Sequence, residues 1–264
     1  MPVGGASTDA GSAAPCVGGG LAGVGGVSAG AGGASAVGSS APAGLPTGPP
    51  GATFAPHRPT RIMAYTDFTP ADLAQQFELD FQAATLFPAC APQAPSAWLT
   101  ETLARAQRLG YVSEKSRSER LVSPVLTELH EFNHQRFTLH SGVNLDVDAA
   151  AGLRGECDFV LTASPIRDFI VAPVFCITEA KKQDLEAGTV QCAAQLVGAQ
   201  RFNELSHRSL PVLYGCSTTG VDWRFLRLTG RELALDTVVY SIRELPALLG
   251  TLQHIISQTV GSPA

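Results

Sequence analysis

Residues 155–182 carry the side chains whose types and spacing invite chemistry. Asp158 stands inside the apolar run "CDFVL". Further on, "FCITEAKK" passes from four strand-forming residues into Glu179, Ala180, Lys181 and Lys182. Charged side chains rarely end a core strand without a partner or a task. A strand turns residues i and i+2 to the same face, so Glu179 and Lys181 point the same way. If the strands bearing Asp158 and Glu179 are neighbours, the two carboxylates approach and repel unless a divalent cation lies between them. Mg²⁺, or Mn²⁺ in its place, takes such hard oxygen ligands. Asp158, Glu179 and the Ala180 carbonyl would leave positions for water and a phosphate oxygen. Lys181 would then orient the attacking water or stabilise charge on the phosphate.

The elements that must position these residues follow from pattern. Thr69-Pro70 reads as an N-cap and first helical residue of a short helix through about Phe77. The stretch 94–110 reads as a helix with Trp98, Leu99, Leu103 and Leu109 on one side. The stretch 113–134 reads as the next helix, in which Pro124 should start or kink the helical run. Strands are expected at 136–148, 155–164 and 174–182, as an antiparallel meander. A helix over 184–205 then crosses to a nearly continuous apolar, hence central, strand at 210–220. An alternating strand at 222–230, a strand near 236–240 and an apolar-striped last helix close the chain.

In its motif and element order the chain resembles the PD-(D/E)XK nuclease superfamily, the restriction-endonuclease-like fold. That family carries an Asp, a variable spacer and then Asp/Glu-x-Lys, on a core of helix, three strands, helix and strand. Here the motif is Asp158, twenty intervening residues, then Glu179-Ala180-Lys181. Cys157 stands where the family's Pro is common. Glu119 in "SRSERLVSPVL" matches the Glu often found on the first core helix, with Glu128 as second candidate. Gln191 in "GTVQCAAQ" matches the Gln often found after the Lys, but Gln195 stands where a Tyr often follows. The likeness covers about 113–230. It extends most closely to uncharacterised bacterial, notably cyanobacterial, proteins, and more loosely to the nuclease domain of type I restriction subunits.

The resemblance implies an α/β fold: a restriction-endonuclease-like core (helix, three-strand meander, helix, strand) with an added C-terminal strand and helix. It implies Mg²⁺-dependent hydrolysis of nucleic acid, DNA foremost, in a family whose members often form homodimers. Asp158, Glu179, the Ala180 carbonyl and Glu119 would serve the metal, Lys181 the water or phosphate, and Gln191 the substrate or Lys181. Lys115, Arg117, Arg120, Arg154 and Lys182 lie near these elements in sequence. They are expected as a local phosphate-binding rim. A module of the same fold that binds or scaffolds without turnover is the alternative.

A competing motif is "HEFNH" at 130–134, which fits H-E-x-x-H with His130 and His134 as zinc ligands, Glu131 as base and Glu156 as third ligand. A zinc-protease helix carries this motif in its middle, whereas here a strand follows just after His134. Histidines placed against a helix C-terminus account for the pair more simply. Asp146 and Asp148 in "NLDVDAA" read as strand-end carboxylates facing a loop. No G-x-S-x-G elbow occurs.

Composition bounds the rest. Positions 1–51 hold sixteen of the 27 glycines, one charge (Asp9) and no aromatic residue. Such a stretch offers too little to bury, so residues 1–62 are expected to be disordered. They read as neither signal peptide nor membrane span, and Met63 is a candidate true start. Residues 63–112 are expected as an N-terminal helical extension and 113–260 as the nuclease-like domain. The net charge of −5 argues against coating nucleic acid through bulk positive charge, though not against a local basic cleft. The six cysteines form no CxxC pair and suit buried thiols in a cytoplasmic protein.

Overall fold

The computed structural model describes residues 63–261. The disorder expected for 1–62 lies outside the described residues. After a single 3₁₀ turn (Tyr65–Asp67), the elements run α1 (Pro70–Phe77), β1 (Asp80–Ala84), α2 (Ala97–Leu109), α3 (Glu114–Arg117), a π-helical turn (Ser118–Val122), α4 (Ser123–Phe132), β2 (Thr138–Asn144), β3 (Glu156–Thr162), β4 (Val174–Ala180), α5 (Leu185–Leu205), β5 (Leu213–Thr218), β6 (Asp222–Thr229), β7 (Glu232–Ser241), and, after a 3₁₀ turn, α6 (Leu245–Val260). The fold is mixed α/β around a seven-stranded sheet of order β1-β7-β6-β5-β4-β3-β2.

Strands β2, β3 and β4 form an antiparallel meander, and β4 and β5 run parallel. A parallel pair needs a crossover, and α5 provides it. One apolar cluster lies on each side of the sheet. Leu126 and Leu129 of α4 and Leu248, Leu252 and Ile256 of α6 pack with Phe159, Phe175 and Phe225. On the other side Cys192 and Leu196 of α5 pack with Val160, Ile177 and Leu226. Covered on both faces, β4 and β5 are buried at every residue, which explains their unbroken apolar sequences.

Several expectations change. The stretch 63–112 also contributes a strand: β1 adds to the sheet edge, parallel to β7. Its sequence, "DFQAA", has little intrinsic strand preference, so pairing with β7 creates it. On α2, Leu99 is buried, but Trp98 and Leu109 are exposed. The strand expected over 136–148 ends at Asn144. Beyond it Asp146 accepts the Gly155 amide at 2.8 Å and Asp148 the Ala151 amide at 3.0 Å, so both serve a loop. The strand expected to reach 182 ends at Ala180. The Lys181 amide still reaches the Thr218 carbonyl at 2.7 Å.

Pro124 does not break the run 114–132; it stands in the first turn of α4, as expected of a proline that starts a helix, and the distortion falls just before it. Without an N–H it cannot bond the Arg120 carbonyl, and the preceding turn widens so that the Ser123 amide reaches the Ser118 carbonyl, five residues back. His134 lies beyond the end of α4 with φ of 53°. The two imidazoles of "HEFNH" therefore do not occupy successive turns of one helix, as a zinc-protease motif requires. Among the described residues no helix is long and apolar enough to cross a membrane.

The first turn is pinned to the sheet. The Tyr65 amide donates to the Arg154 carbonyl at 3.0 Å and its hydroxyl to the Leu145 carbonyl at 2.7 Å. A Cβ at Gly198 of α5 would collide with that hydroxyl. Gly198→Ala should therefore cost about 1–3 kcal/mol of stability in urea unfolding. An unchanged midpoint would show that Tyr65 does not set the α5 approach.

Candidate active site

The antiparallel register pairs Phe159 with Thr178. Continued by one residue, it sets Asp158 opposite Glu179, the separation at which cross-strand side chains meet. Asp158 Oδ2 accepts the Ala180 amide at 2.7 Å, which holds the end of β3 against the end of β4. Glu179 is only 2% exposed. Its Oε1 lies 2.9 Å from Lys181 Nζ, and its Oε2 accepts from Gln195 Nε2 at 2.8 Å. Glu114 Oε1 stands 3.9 Å from the same ammonium. Asp158, Glu179, Lys181 and Gln191 line one cavity of about 300 Å³, with Ala64, Tyr65, Thr66, Glu114, Gly155 and Glu156 completing it.

The helix α5 can approach because Gly188 has no side chain. A Cβ there would collide with Ser217 Oγ and come within 2.8 Å of Lys181 Cγ. Asp184 caps the helix by accepting the Ala187 amide at 2.8 Å. Gln191 and Gln195 stand one turn apart on α5, so both reach the carboxylate end of β4.

The electrostatics follow from burial. Desolvation raises Glu179 from its ordinary 4.5 to about 7, and the nearby Asp158 carboxylate adds to it. The Lys181 ammonium and Gln195 amide pull the other way and lose. Asp158 is also raised, again by burial first, against the Ala180 amide and Lys181. Burial lowers Lys181, but Glu179, Glu114 and Asp158 outweigh it and leave the ammonium firmly protonated.

Other sequence candidates lie elsewhere. Glu119 does not line this cavity. It lines an adjoining one of about 460 Å³ with Lys115, Ser118, Ser141 and Gly142, and the two share Glu114, Glu156 and Asp158. Its carboxylate is 3.8 Å from Lys115 Nζ, with both side chains mostly exposed. Glu114, four residues after Gly110 and on α3, is the helix carboxylate nearest Lys181. Glu128 caps α2 by accepting the Ser96 amide and hydroxyl at 2.6 and 2.8 Å. Two of the five rim cations are committed to structure. Arg117 donates to the Thr219 carbonyl at 2.9 Å and stacks over Tyr111, and Arg120 donates to the Gly110 carbonyl. Arg154 meets Tyr65 through its backbone. Lys182 is exposed beyond β4.

Three site residues escaped the motif: Glu114, Glu156 and Gln195. Glu156 stands two residues before Asp158, so the same-face rule for strands pointed to it. Gln195 is four residues after Gln191, so the helical repeat pointed to it. Glu114 had no such signal, because its place beside Lys181 depends on how α3 meets the end of β4.

The donor set suits a divalent cation in part. Two carboxylates stand opposed in a half-dry cleft, and Asp158 Oδ1 accepts nothing from the described residues. However, no group of three or more His, Cys, Asp or Glu side chains among the described residues is gathered tightly enough to cage a metal. That is compatible with Mg²⁺, which keeps several waters and takes one or two carboxylates. Searches against family models, characterised proteins and solved structures gave no match.

The raised carboxylates fix a pH signature. Between about 4.5 and 7 the folded state holds a proton on Glu179 that the unfolded chain has released. Metal-free stability should therefore fall as pH rises through this window. A cation that requires the ionised pair should raise the melting temperature at pH 8 and little at pH 5. Equal Mg²⁺ shifts at both pH values in a thermal melt would show that the ion binds elsewhere.

Proposed function

We propose that the protein is a Mg²⁺-dependent nuclease of the restriction-endonuclease-like fold, hydrolysing phosphodiester bonds of nucleic acid, DNA foremost. The observation that carries this reading is the single cavity in which Asp158, Glu179 and Lys181 meet at the paired ends of β3 and β4. The element order helix, antiparallel meander, crossover helix and parallel strand supports it, because it is the order the sequence resemblance implies. A homodimer remains part of this reading.

In this mechanism Asp158 and Glu179 would hold the cation, with the Ala180 carbonyl as a further oxygen. When bound, Mg²⁺ supplies positive charge to a phosphate oxygen and to water. Lys181 Nζ, poised by Glu179 Oε1, orients the attacking water or offsets charge on the phosphate. Gln195 holds Glu179 Oε2, fixing the rotamer that presents Oε1. Gln191 faces substrate or Lys181. Glu114 now joins Glu119 as the helix-borne carboxylate on the approach.

A second reading, a nucleic-acid-binding or scaffold module without turnover, draws on one observation: Arg117 and Arg120, expected at the rim, are spent on backbone carbonyls. A cleavage panel over single- and double-stranded DNA and RNA with Mg²⁺ or Mn²⁺ separates the two. Lys181→Ala should reduce cleavage by about 10²–10³ and leave Mg²⁺ binding largely intact. Glu179→Ala should lose both. Lys182→Ala should weaken activity modestly and chiefly at low salt. If Lys181→Ala and Lys182→Ala behave alike, Lys181 is not catalytic. Metal binding without cleavage of any substrate would favour the module.

A further inference from the structure

We infer that Arg224 of β6 holds a flanking phosphate of the substrate, an inference that rests on the nuclease reading. The cavity is short of positive charge. Its walls carry Glu114, Glu156, Asp158 and Glu179 against Lys181 alone. A polyanion needs cations along its path, even with a divalent ion between the carboxylates. Arg117 and Arg120 do not supply them, because both guanidinium groups are bonded to backbone carbonyls.

The sheet register supplies one. Glu179 pairs with Ser217 of β5, Ser217 with Arg224 of β6, and Arg224 with Val239 of β7. Paired residues point to one face, so these four form a row across the α5 side of the sheet. Adjacent strands lie about 4.8 Å apart, which puts the Arg224 backbone roughly 10 Å from that of Glu179. The Ser217 hydroxyl donates to the Leu185 carbonyl at 2.9 Å, so the first turn of α5 covers the middle of the row. The cavity opens on one side of that turn and Arg224 lies on the other. β1 covers the edge of β7 only as far as Asp236, and Val239 is 44% exposed, so the Arg224 end of the row meets solvent.

Arg224 is also uncommitted. It is half-buried, and among the described residues its guanidinium makes no hydrogen bond or ion pair. Its Nε is enclosed without a partner. A guanidinium so placed lacks an acceptor, and phosphate matches its paired N–H donors. At about 3.4 Å of axial rise per nucleotide, a phosphate about 10 Å away lies within about three nucleotides of the scissile one. Arg224 thus anchors the strand, while Lys181 and the carboxylate pair act on the scissile bond.

Arg227 provides the internal control. It stands on the same strand, half-buried, with its Nε likewise unpartnered, but it pairs with Tyr214 and faces the other side of the sheet.

The test uses full-chain Lys181→Ala as background, to slow cleavage while Mg²⁺ stays bound. Arg224→Ala, Arg224→Lys and Arg227→Ala are each added to it. Each chain is titrated against fluorescein-labelled oligothymidylate and its duplex by anisotropy, at one Mg²⁺ concentration over a KCl series. Arg224→Ala should bind roughly fivefold more weakly, with a salt slope shallower by up to about 0.7 on the single strand or about 0.9 on the duplex. Arg224→Lys should keep the slope, and Arg227→Ala should match the background. In the otherwise wild-type chain, Arg224→Ala should raise KM by a similar factor and leave kcat near its original value. Its melting temperature should not fall, because no bond is lost.

Affinity and slope unchanged by Arg224→Ala, with the background binding, would overturn the inference and leave the nuclease reading intact. An unchanged KM in a chain that cleaves would do the same. Equal losses in Arg224→Ala and Arg227→Ala, or a loss accompanied by a lower melting temperature, would also overturn it, as a structural effect. A wild-type chain that binds neither probe, and cleaves nothing in the panel above, would remove the nuclease reading together with this one.

Discussion

The structure depends on keeping a carboxylate, Glu179, inside the sheet. A buried carboxylate is costly unless its charge is balanced or its proton retained. Two neighbours and its own proton affinity make it tolerable. Lys181 follows it on the same strand, Gln195 reaches it from α5, and its own raised proton affinity lets it stay neutral near pH 7. Each neighbour constrains a different part of the fold. Lys181 stands just past the end of β4, where its ammonium turns back to Glu179. Gln195 requires α5 to lie close on β4. That closeness in turn requires glycine at 188, where any Cβ would collide with Ser217.

The same pair explains why the meander ends together. Asp158 accepts the Ala180 amide, so β3 contributes a carboxylate where β4 needs its last backbone partner. The bond ties the site's geometry to the strand ladder. It also leaves one Asp158 oxygen for the cleft. A site built on paired strand ends is held more rigidly than one on a loop, and a helix backs it from the far side.

The surroundings are acidic in a way the local motif does not foretell. Glu114 and Glu156 join the two central carboxylates, and the arginines expected to balance them have turned to structural duties. Arg117 closes the Thr219 turn and Arg120 closes the end of α2. Long cationic side chains near a site in sequence serve whichever unmet carbonyls are closest, and loops after helices offer many.

The sequence by itself determined the elements with strong periodicity and the triplet they carry. The Thr69 cap, the apolar stripe of α6, the unbroken burial of β4 and β5, and the shared face of Glu179 and Lys181 are all local in origin. Repeats of 2 and 3.6 residues and one capping side chain settle them. Tertiary structure decided what has no such period. β1 exists because β7 offers an edge, not because "DFQAA" prefers a strand. Glu114, not Glu119, stands beside Lys181 because of where α3 meets the end of β4, which no repeat along the chain sets. Gln195 bonds Glu179 because Gly188 lets α5 come near. Direction and distance between elements depend on bonds made and missing elsewhere, so a pattern along the chain cannot state them.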